Sequence, residues 1–329
     1  MGLAPLVVRF VQIAGPMMCP ALREIVVGRP VNQSAGLLGD LSATEVARIR
    51  HYHQAITGQK PRPQNGGQDC LSPESPLPRA VLCHEAQDIM QLWGRVAPEE
   101  IHARQASVRV RAASRARADL AGTRSVLRHE PVADDIYRHA ARQPYAGFFA
   151  VEEYDIGWRR FDGQMSATAT RAAFVSGDAV TVLPYDPVRD RVLLVEQFRA
   201  GPYARGDNVP WQLEAIAGRI DPGETPEQAA RREAVEEAGL TLGDLRFVAS
   251  YYPSPGALSE FIYSYVALAD LPDGSAGVFG VADEHEDIRG HLVAFDTLMA
   301  LISSAEVCNS PLILTAWWLA GQRASLRGT

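Results

Sequence analysis

The chain has 329 residues, of which 47% are hydrophobic and 22% are charged, and its net charge is −7. This length allows two domains, since a domain usually has about 100–200 residues, and the composition argues against global disorder. The acidic balance gives no electrostatic reason to expect a nucleic-acid partner. The longest apolar run near the C-terminus, 312–321, is about half of the ~20 residues that a membrane span needs. We therefore expect a cytoplasmic protein without a membrane partner.

The first part of the chain carries helical patterns at 20–29, 43–56 and 79–104, separated by a segment rich in Pro, Gly, Gln and Ser at 61–78. An arginine-rich stretch, RQASVRVRAASRARADLAGTRSVLR, follows at 104–128. Lys60 is the one lysine of the chain, so arginine supplies nearly all positive charge and a basic run carries little information. We interpret the stretch as a solvated helix and connector, with an RNA-binding arm as the alternative.

The four cysteines are too scattered to form a metal site, because no CxxC pair and no suitable histidine spacing accompanies them. We expect reduced thiols at Cys19, Cys70, Cys83 and Cys308.

The pattern changes near residue 143, where strand-like segments begin. The sequence predicts strands at 147–154, 179–185, 192–198, 211–217, 247–252, 260–269 and 291–295, and helices at 226–238, 296–305 and 311–326. Mixed strands and helices predict an α/β or α+β layered domain. We therefore divide the chain into an accessory N-terminal region at 1–142 and a second domain at 143–329.

One predicted helix has clear start and stop signals. Thr225 is a good N-cap, Pro226 suits the first helical position, and Gln228 completes a capping box. Gly239 is a natural C-terminal stop. These residues predict a helix over 226–238.

This helix places three glutamates on one face. Glu233, Glu236 and Glu237 are spaced i, i+3, i+4, so their Cβ atoms lie within about 6 Å of one another. Such carboxylates repel one another and raise their own pKa values, unless a hard cation such as Mg²⁺ binds them. The alternative is a solvated acidic face paired with Arg231 and Arg232.

The segment GRIDPGETPEQAARREAVEEAGL (218–240) resembles the Nudix box, GX5EX7REUXEEXGU, at every fixed position. The resemblance implies a Nudix hydrolase, an α/β/α sandwich that uses Mg²⁺, with Mn²⁺ as a substitute. It implies that Glu233, Glu237 and the carbonyl of Ala217 are metal ligands. Glu236 would add a ligand or hold a metal-bound water, and Arg232 would pair with Glu224.

Residues beyond the box resemble those of bacterial ADP-ribose pyrophosphatases. Pro255 lies sixteen residues after Gly239, in the segment SPGALSE. A proline there implies ADP-ribose as the substrate, and Glu260 stands at a substrate-contacting position. In the acidic segment ADEHEDIR (282–289), the resemblance makes Glu284 the general base and Glu286 a further metal ligand. The alternative for this segment is a solvated loop.

The resemblance covers residues 143–329. By matching position it implies that Phe148, Phe149, Arg171 and Arg199 contact nucleotide or phosphate, through aromatic stacking and bidentate hydrogen bonds. Core packing is the alternative for Phe148 and Phe149. The segment 145–165 resembles the part that pairs two subunits in relatives, which implies a homodimer. The reaction would convert ADP-ribose to AMP and ribose 5-phosphate, with GDP-mannose or another nucleoside diphosphate sugar, or a non-catalytic ligand sensor, as alternatives.

The N-terminal region resembles the γ-glutamylcyclotransferase-like part of a tellurite-resistance-associated group of Nudix proteins. The similar segments are PALREIVVGRP and GLLGDLSATEVARIRHY. Where that fold has a YGTL-type turn this chain has QIAG, and where it has its acidic residue this chain has Tyr52-His53. We therefore expect a smaller, degenerate accessory domain without cyclotransferase activity.

Overall fold

The computed structural model describes residues 24–26, 28, 42–58, 79–121, 126–281 and 286–328. The chain divides into two compact units, 1–177 and 178–329. The sequence pattern changes earlier, near residue 143, so the domain boundary that we drew there stays a proposal. None of the helices in the described ranges combines the length and the apolarity that a bilayer crossing requires.

The first unit contains helices and an antiparallel sheet in the order β1-β2-β3. The helices are α1 (Ala43–Thr57), α2 (Arg79–Gln91), α3 (Pro98–Ala103) and α4 (Gln105–Leu120), and the strands are β1 (Ile136–Ala146), β2 (Ala150–Trp158) and β3 (Ala169–Val175). The predicted strand over 147–154 is wrong at its start, because residues 147–149 form the bend between β1 and β2. Residues 20–23 of the first predicted helix, Cys19, Cys70 and the linker 61–78 lie outside the described residues.

The arginine-rich stretch is not a solvated helix along its whole length. Arg111 on α4 is only 1% exposed, and Arg115 binds two buried carboxylates, Asp88 on α2 and Glu152 on β2. Arg109 donates to the buried Glu85 at 2.9 Å. The interpretation as a solvated face is therefore wrong for these three arginines, two of which neutralise acids that are distant in the sequence.

The second unit is built on a mixed sheet in the order β10-β11-β5-β4-β9-β8, with β6 paired to β5 and β7 paired to β4. Strands β4 and β9 are parallel, whereas the other pairings are antiparallel. The strands are β4 (Ala179–Asp186), β5 (Arg191–Phe198), β6 (Trp211–Glu214), β7 (Ile216–Arg219), β8 (Leu245–Tyr251), β9 (Ile262–Leu268), β10 (Val278–Phe279) and β11 (Ile288–Ala294). The helices are α5 (Ala200–Arg205), α6 (Pro226–Ala238), α7 (Phe295–Ser303) and α8 (Ser310–Arg327).

Helices cover both faces of this sheet, and its central strands are therefore buried on both sides. Alanines of α6 pack with Val180, Val182 and Val195 in one core. Residues of α7 and α8, such as Leu298 and Leu312, pack on the other side in a second core with β4 and β5. The second unit is thus a mixed α/β structure with one helix layer on each face of the sheet.

Helix α6 begins and ends where the sequence predicts. The Thr225 hydroxyl accepts from the Gln228 N–H, and the Gln228 side chain accepts from the Thr225 N–H, which forms the capping box. Gly239 ends the helix in the left-handed conformation with φ 60°. A strand predicted over 211–217 is instead divided at Ala215 into β6 and β7. This division lets β6 pair with β5 while β7 pairs with β4.

Candidate active site

The candidate site lies where strand β7 faces helix α6. Gly218 on β7 is in close contact with the Glu233 side chain, because a Cβ atom at position 218 would lie 1.9 Å from Glu233 Oε1. The Ala217 N–H donates to Glu237 Oε2 at 3.0 Å. The absence of a side chain at Gly218 therefore lets a carboxylate of α6 lie directly against the strand.

Glu233 and Glu237 are both buried, with 9% and 2% of their surface exposed. Burial raises the pKa of Glu233 to about 7 against the opposing effect of Arg232. Burial also raises the pKa of Glu237 to about 8, although the Ala217 N–H and Arg199 favour its charged form. Two adjacent buried carboxylates destabilise each other's charge, so the pair is suited to binding a cation.

Arg232 connects the box glutamates to one another. Its Nε donates to Glu224 Oε1 at 2.9 Å, and its Nη2 donates to the Arg219 carbonyl. Its Nη1 donates to Glu233 Oε1 at 2.7 Å and to Glu236 Oε2 at 2.9 Å. The Arg232–Glu224 pair that the resemblance implies is therefore present, and the same guanidinium also compensates two acids of α6.

Glu286 lies near the carboxylate cluster formed by Glu233, Glu236 and Glu237, on the segment that leads into β11. Its Oε2 accepts from the Val281 N–H at 3.2 Å. Its charge adds to the burial that raises the pKa values of Glu233 and Glu237. Glu284, the expected general base, lies outside the described residues.

Arg199 and Glu260 lie on the sheet side of the site. Arg199 directly follows β5 and donates from Nε and Nη2 to Glu214 Oε2, at 3.0 and 2.5 Å. Burial raises the pKa of Glu260, which the charges of Arg219 and Arg199 oppose. Pro255 is exposed in the turn that precedes Glu260, where the Ser254 carbonyl accepts from the Ala257 N–H.

The remaining expected substrate contacts belong to the first unit. Phe148 is 64% exposed, so core packing does not account for it, whereas Phe149 packs on Phe174 with ring centroids 4.6 Å apart. The Arg171 guanidinium stacks over the Trp158 ring at 5.4 Å from its centroid. These three side chains belong to the first unit, whereas the carboxylate cluster belongs to the second.

Comparisons with known proteins match the part of the chain that carries these residues. The NUDIX domain family matches residues 175–310. An ADP-ribose pyrophosphatase of Escherichia coli K12 is 40% identical over 186 residues, which are 56% of this chain and 88% of that protein. The chain belongs to the Nudix family.

Two further Nudix relatives are more distant. An ADP-ribose pyrophosphatase of Haemophilus influenzae is 34% identical over 185 residues, which cover 56% of this chain and 85% of that protein. A GDP-mannose pyrophosphatase of Salmonella paratyphi B is 31% identical over 144 residues, which cover 44% of this chain and 74% of that protein.

Glu233 and Glu237 suit a hard divalent cation, because they provide buried carboxylate oxygens with raised pKa values. Gly218 beside them has no side chain that would block their approach to the strand. Among the residues that the structure describes, no three acidic, histidine or cysteine side chains converge into a complete metal site. Arg232 Nη1 contacts both Glu233 and Glu236, so a guanidinium lies between these two carboxylates.

Sequence reasoning missed two polar residues of this Nudix site. Glu214 binds Arg199, and Gln197 Nε2 approaches Glu237 Oε1 at 3.4 Å. Both are buried polar side chains on strands whose other residues are mostly apolar, with 6% and 7% exposure. Two features of the sequence could have indicated these residues. One is the charged residue that ends the apolar segment WQLE, and the other is the pair of polar residues two positions apart, Gln197 near the end of β5 and Arg199 just after it.

Proposed function

We propose that this Nudix protein hydrolyses the pyrophosphate bond of ADP-ribose and releases AMP and ribose 5-phosphate. The observation that carries the proposal is the pair of buried glutamates, Glu233 and Glu237, packed against Gly218 with raised pKa values. Groups of this kind favour a divalent cation and, through it, a polyphosphate substrate. The two ADP-ribose pyrophosphatase relatives at 40% and 34% identity support the choice of substrate.

The metal in the proposal is Mg²⁺, for which Mn²⁺ substitutes. Glu233, Glu237, Glu286 and the Ala217 carbonyl would hold it, and Glu236 would add a ligand or hold its water. When bound, such an ion neutralises phosphate oxygens and makes a coordinated water more acidic.

The side chains of the chain itself have separate tasks in this proposal. Glu284 accepts the proton of the attacking water as general base. Arg199 donates hydrogen bonds to the phosphate oxygens and stabilises the charge that develops on them. Arg232 binds Glu224 and so fixes the loop before α6 against the helix. Phe148 and Phe149 would stack on the adenine, and Arg171 would contact the nucleotide or its phosphate. Pro255 and Glu260 would lie in the loop that contacts the substrate.

GDP-mannose is the second candidate substrate, which the pyrophosphatase of Salmonella at 31% identity supports. Both substrates are nucleoside diphosphate sugars and place the same pyrophosphate against the carboxylates. A non-catalytic sensor is disfavoured because Glu233, Glu236 and Glu237 are all present.

A substrate panel tests the proposal. With Mg²⁺, the full chain should release AMP and ribose 5-phosphate from ADP-ribose with a higher kcat/KM than it shows on GDP-mannose. Glu237→Gln should lower kcat by orders of magnitude, whereas Glu306→Gln, at an exposed position on the loop before α8, should not. Full activity of the parent in excess EDTA would contradict the proposal, and preference for GDP-mannose would favour the second candidate.

Three broader assignments belong to the same proposal. We place the protein in the cytoplasm and expect it to act as a homodimer. The N-terminal region would be a degenerate γ-glutamylcyclotransferase-like domain of the kind found in the tellurite-resistance-associated group. The departures in QIAG and at Tyr52-His53 support its lack of cyclotransferase activity.

A further inference from the structure

Among the residues that the structure describes, the Arg199 guanidinium is held on one edge only. Both Nε and Nη2 donate to the same oxygen, Glu214 Oε2. Nη1 makes no hydrogen bond within the described ranges of the chain. Because the guanidinium is planar, fixing two of its nitrogens also fixes the direction in which the third one points.

Glu214 is in turn held by the last helix of the second unit. It is 6% exposed, and its second oxygen, Oε1, accepts from Asn309 Nδ2 at 3.1 Å. Asn309 is the N-cap of α8, and its Oδ1 accepts from the Leu312 N–H at 3.1 Å. Since the cap uses the amide oxygen, the amide nitrogen has to point towards Glu214. The donor and the acceptor of each hydrogen bond are therefore fixed, from the N-terminus of α8 through Asn309 and Glu214 to Arg199.

The acidic groups that act on Arg199 include carboxylates of the candidate site. Burial opposes the charged form of Arg199, but Glu214, Glu237 and Glu286 together raise its pKa. Of these three acids, Glu237 belongs to the carboxylate cluster of the site and Glu286 lies near it. The guanidinium thus lies in the field of the groups that would hold the metal and its phosphate ligand.

We propose that Glu214 and Asn309 are positioning residues, which orient Arg199 so that Nη1 meets the anionic oxygens of a bound pyrophosphate. This inference deepens the proposed function and rests on it for the identity of the reaction. Neither residue touches the substrate; both act through Arg199. The chemical group that the arrangement recognises is the diphosphate, which all nucleoside diphosphate sugars share.

Exchanging the hydrogen-bond donor and acceptor between positions 214 and 309 tests whether these residues orient Arg199 or only fill space. Asn309→Asp keeps a good N-cap for α8 but places a carboxylate against the Glu214 carboxylate. In the double variant, Glu214→Gln with Asn309→Asp, the amide introduced on β6 can donate to the new carboxylate while its oxygen accepts from Arg199. The double variant restores every hydrogen bond and the original total charge. Asn309→Ser also keeps a cap but lacks the amide donor.

The experiment measures the affinity of these proteins for inorganic pyrophosphate in Mg²⁺ by calorimetry, together with kcat, KM for ADP-ribose and the melting temperature. We expect Asn309→Asp to weaken pyrophosphate binding by roughly tenfold, the effect of disturbing one charge-assisted hydrogen bond. Its KM should rise more than its kcat falls, and its melting temperature should also fall, because the new carboxylate repels the buried Glu214 carboxylate beside it. The double variant should return to within about threefold of the parent, and Asn309→Ser should be intermediate.

An Arg199→Lys background supplies the decisive control. Lysine cannot be held by a fixed fork, so Asn309→Asp should have no further effect on pyrophosphate affinity in that background. Equal affinities in all proteins, no rescue in the double variant, or the same loss in the Arg199→Lys background would overturn the inference. If the parent does not hydrolyse ADP-ribose but the affinities follow the expected pattern, the proposed substrate fails and the positioning role stands.

Discussion

Gly218 shows how much a single missing side chain determines at this site. The space that its Cβ would take is occupied by the Glu233 carboxylate, with Oε1 and Cδ at 1.9 and 2.0 Å from that point. Gly218 lies on β7, and its φ is not in the left-handed region that favours glycine. Close approach of the carboxylate, not backbone conformation, is therefore what requires a glycine at this position.

Gly218→Ala should displace Glu233 from β7 and reduce metal affinity about 10–100-fold, the usual cost of disturbing a residue that orients a metal ligand. Titrating activity with Mg²⁺ would show the effect as a higher concentration for half-maximal rate. Gly201→Ala on α5 is the matched control, since nothing lies within 4 Å of its added Cβ. An unchanged Mg²⁺ requirement in Gly218→Ala would contradict the contact.

Glu284 and Glu286 of the segment 282–289 should separate in the same titration. Glu284→Gln removes the proposed base and should lower kcat by about 10²–10⁴-fold with little change in Mg²⁺ requirement. Glu286→Gln removes a charge near the cluster and should raise the Mg²⁺ requirement, with partial recovery in excess Mg²⁺. If both variants stay within a few-fold of the parent, the segment is a solvated loop and the assignment is wrong.

At the scale of the element, α6 combines a strong folding signal with an unfavourable charge pattern. Thr225, Gln228 and Gly239 fix its two ends, and its alanines pack into a core of the second unit. The same helix buries two carboxylates whose pKa values lie well above the ordinary 4.5. Its caps and packing thus stabilise the helix while its buried carboxylates destabilise the metal-free protein near neutral pH.

This conflict predicts a pH dependence of stability. Because Glu233 and Glu237 have raised pKa values, the folded chain binds protons more tightly than the unfolded chain. Their contribution is fully present below about pH 4.5 and is lost as the pH rises through about 7 and 8. In EDTA, the melting temperature should therefore fall as the pH rises from 5 to 8.5. The free energy of unfolding should decrease by up to about 1.4 kcal/mol per pH unit for each of the two protons.

Mg²⁺ should reverse this trend, since it competes with protons for the same oxygens. The rise in melting temperature on adding Mg²⁺ should be larger at pH 8 than at pH 6. Glu237→Gln, measured in parallel, should flatten both dependences, because its amide does not titrate. A parent protein whose melting temperature responds to Mg²⁺ equally at both pH values would contradict the prediction.

Sequence patterns predicted elements well where the signal is local. The limits of α6 follow from capping chemistry within a few residues, and most strands of the second unit follow from apolar alternation. The pattern failed where a partner is distant. Nothing near Arg115 shows that Asp88 and Glu152 will be buried beside it, 27 and 37 residues away. For the same reason the contact between Glu214 and Asn309, separated by 95 residues, was missed.

For the whole molecule, the exposed apolar residues of the three-stranded sheet favour association. Several large side chains of this sheet and its connections are exposed: Ile136, Tyr137, Tyr145, Phe148, Trp158 and Phe161. An apolar set of this kind is unusual on a solvated surface unless another molecule covers it. It supports the proposed homodimer, which the segment 145–165 would mediate.

Light scattering should give twice the chain mass of 35.8 kDa at micromolar concentration. Phe161→Ser, which removes a fully exposed ring, should weaken the dimer. Val188→Ser is the control, because Val188 is 83% exposed in the turn between β4 and β5 of the other unit. A mass equal to one chain in the parent would rule the dimer out.

Helix α8 has a consequence for biosynthesis. It packs into one of the two cores of the second unit, and Arg323 on this helix binds Asp190, 133 residues earlier in the turn between β4 and β5. The ribosome therefore releases β4 and β5 long before the helix that covers them has been made. During translation one side of this sheet is exposed, and a chaperone that binds apolar strands would have its target there until α8 emerges. In a protein truncated before α8, this side of the sheet would stay exposed for as long as the protein exists.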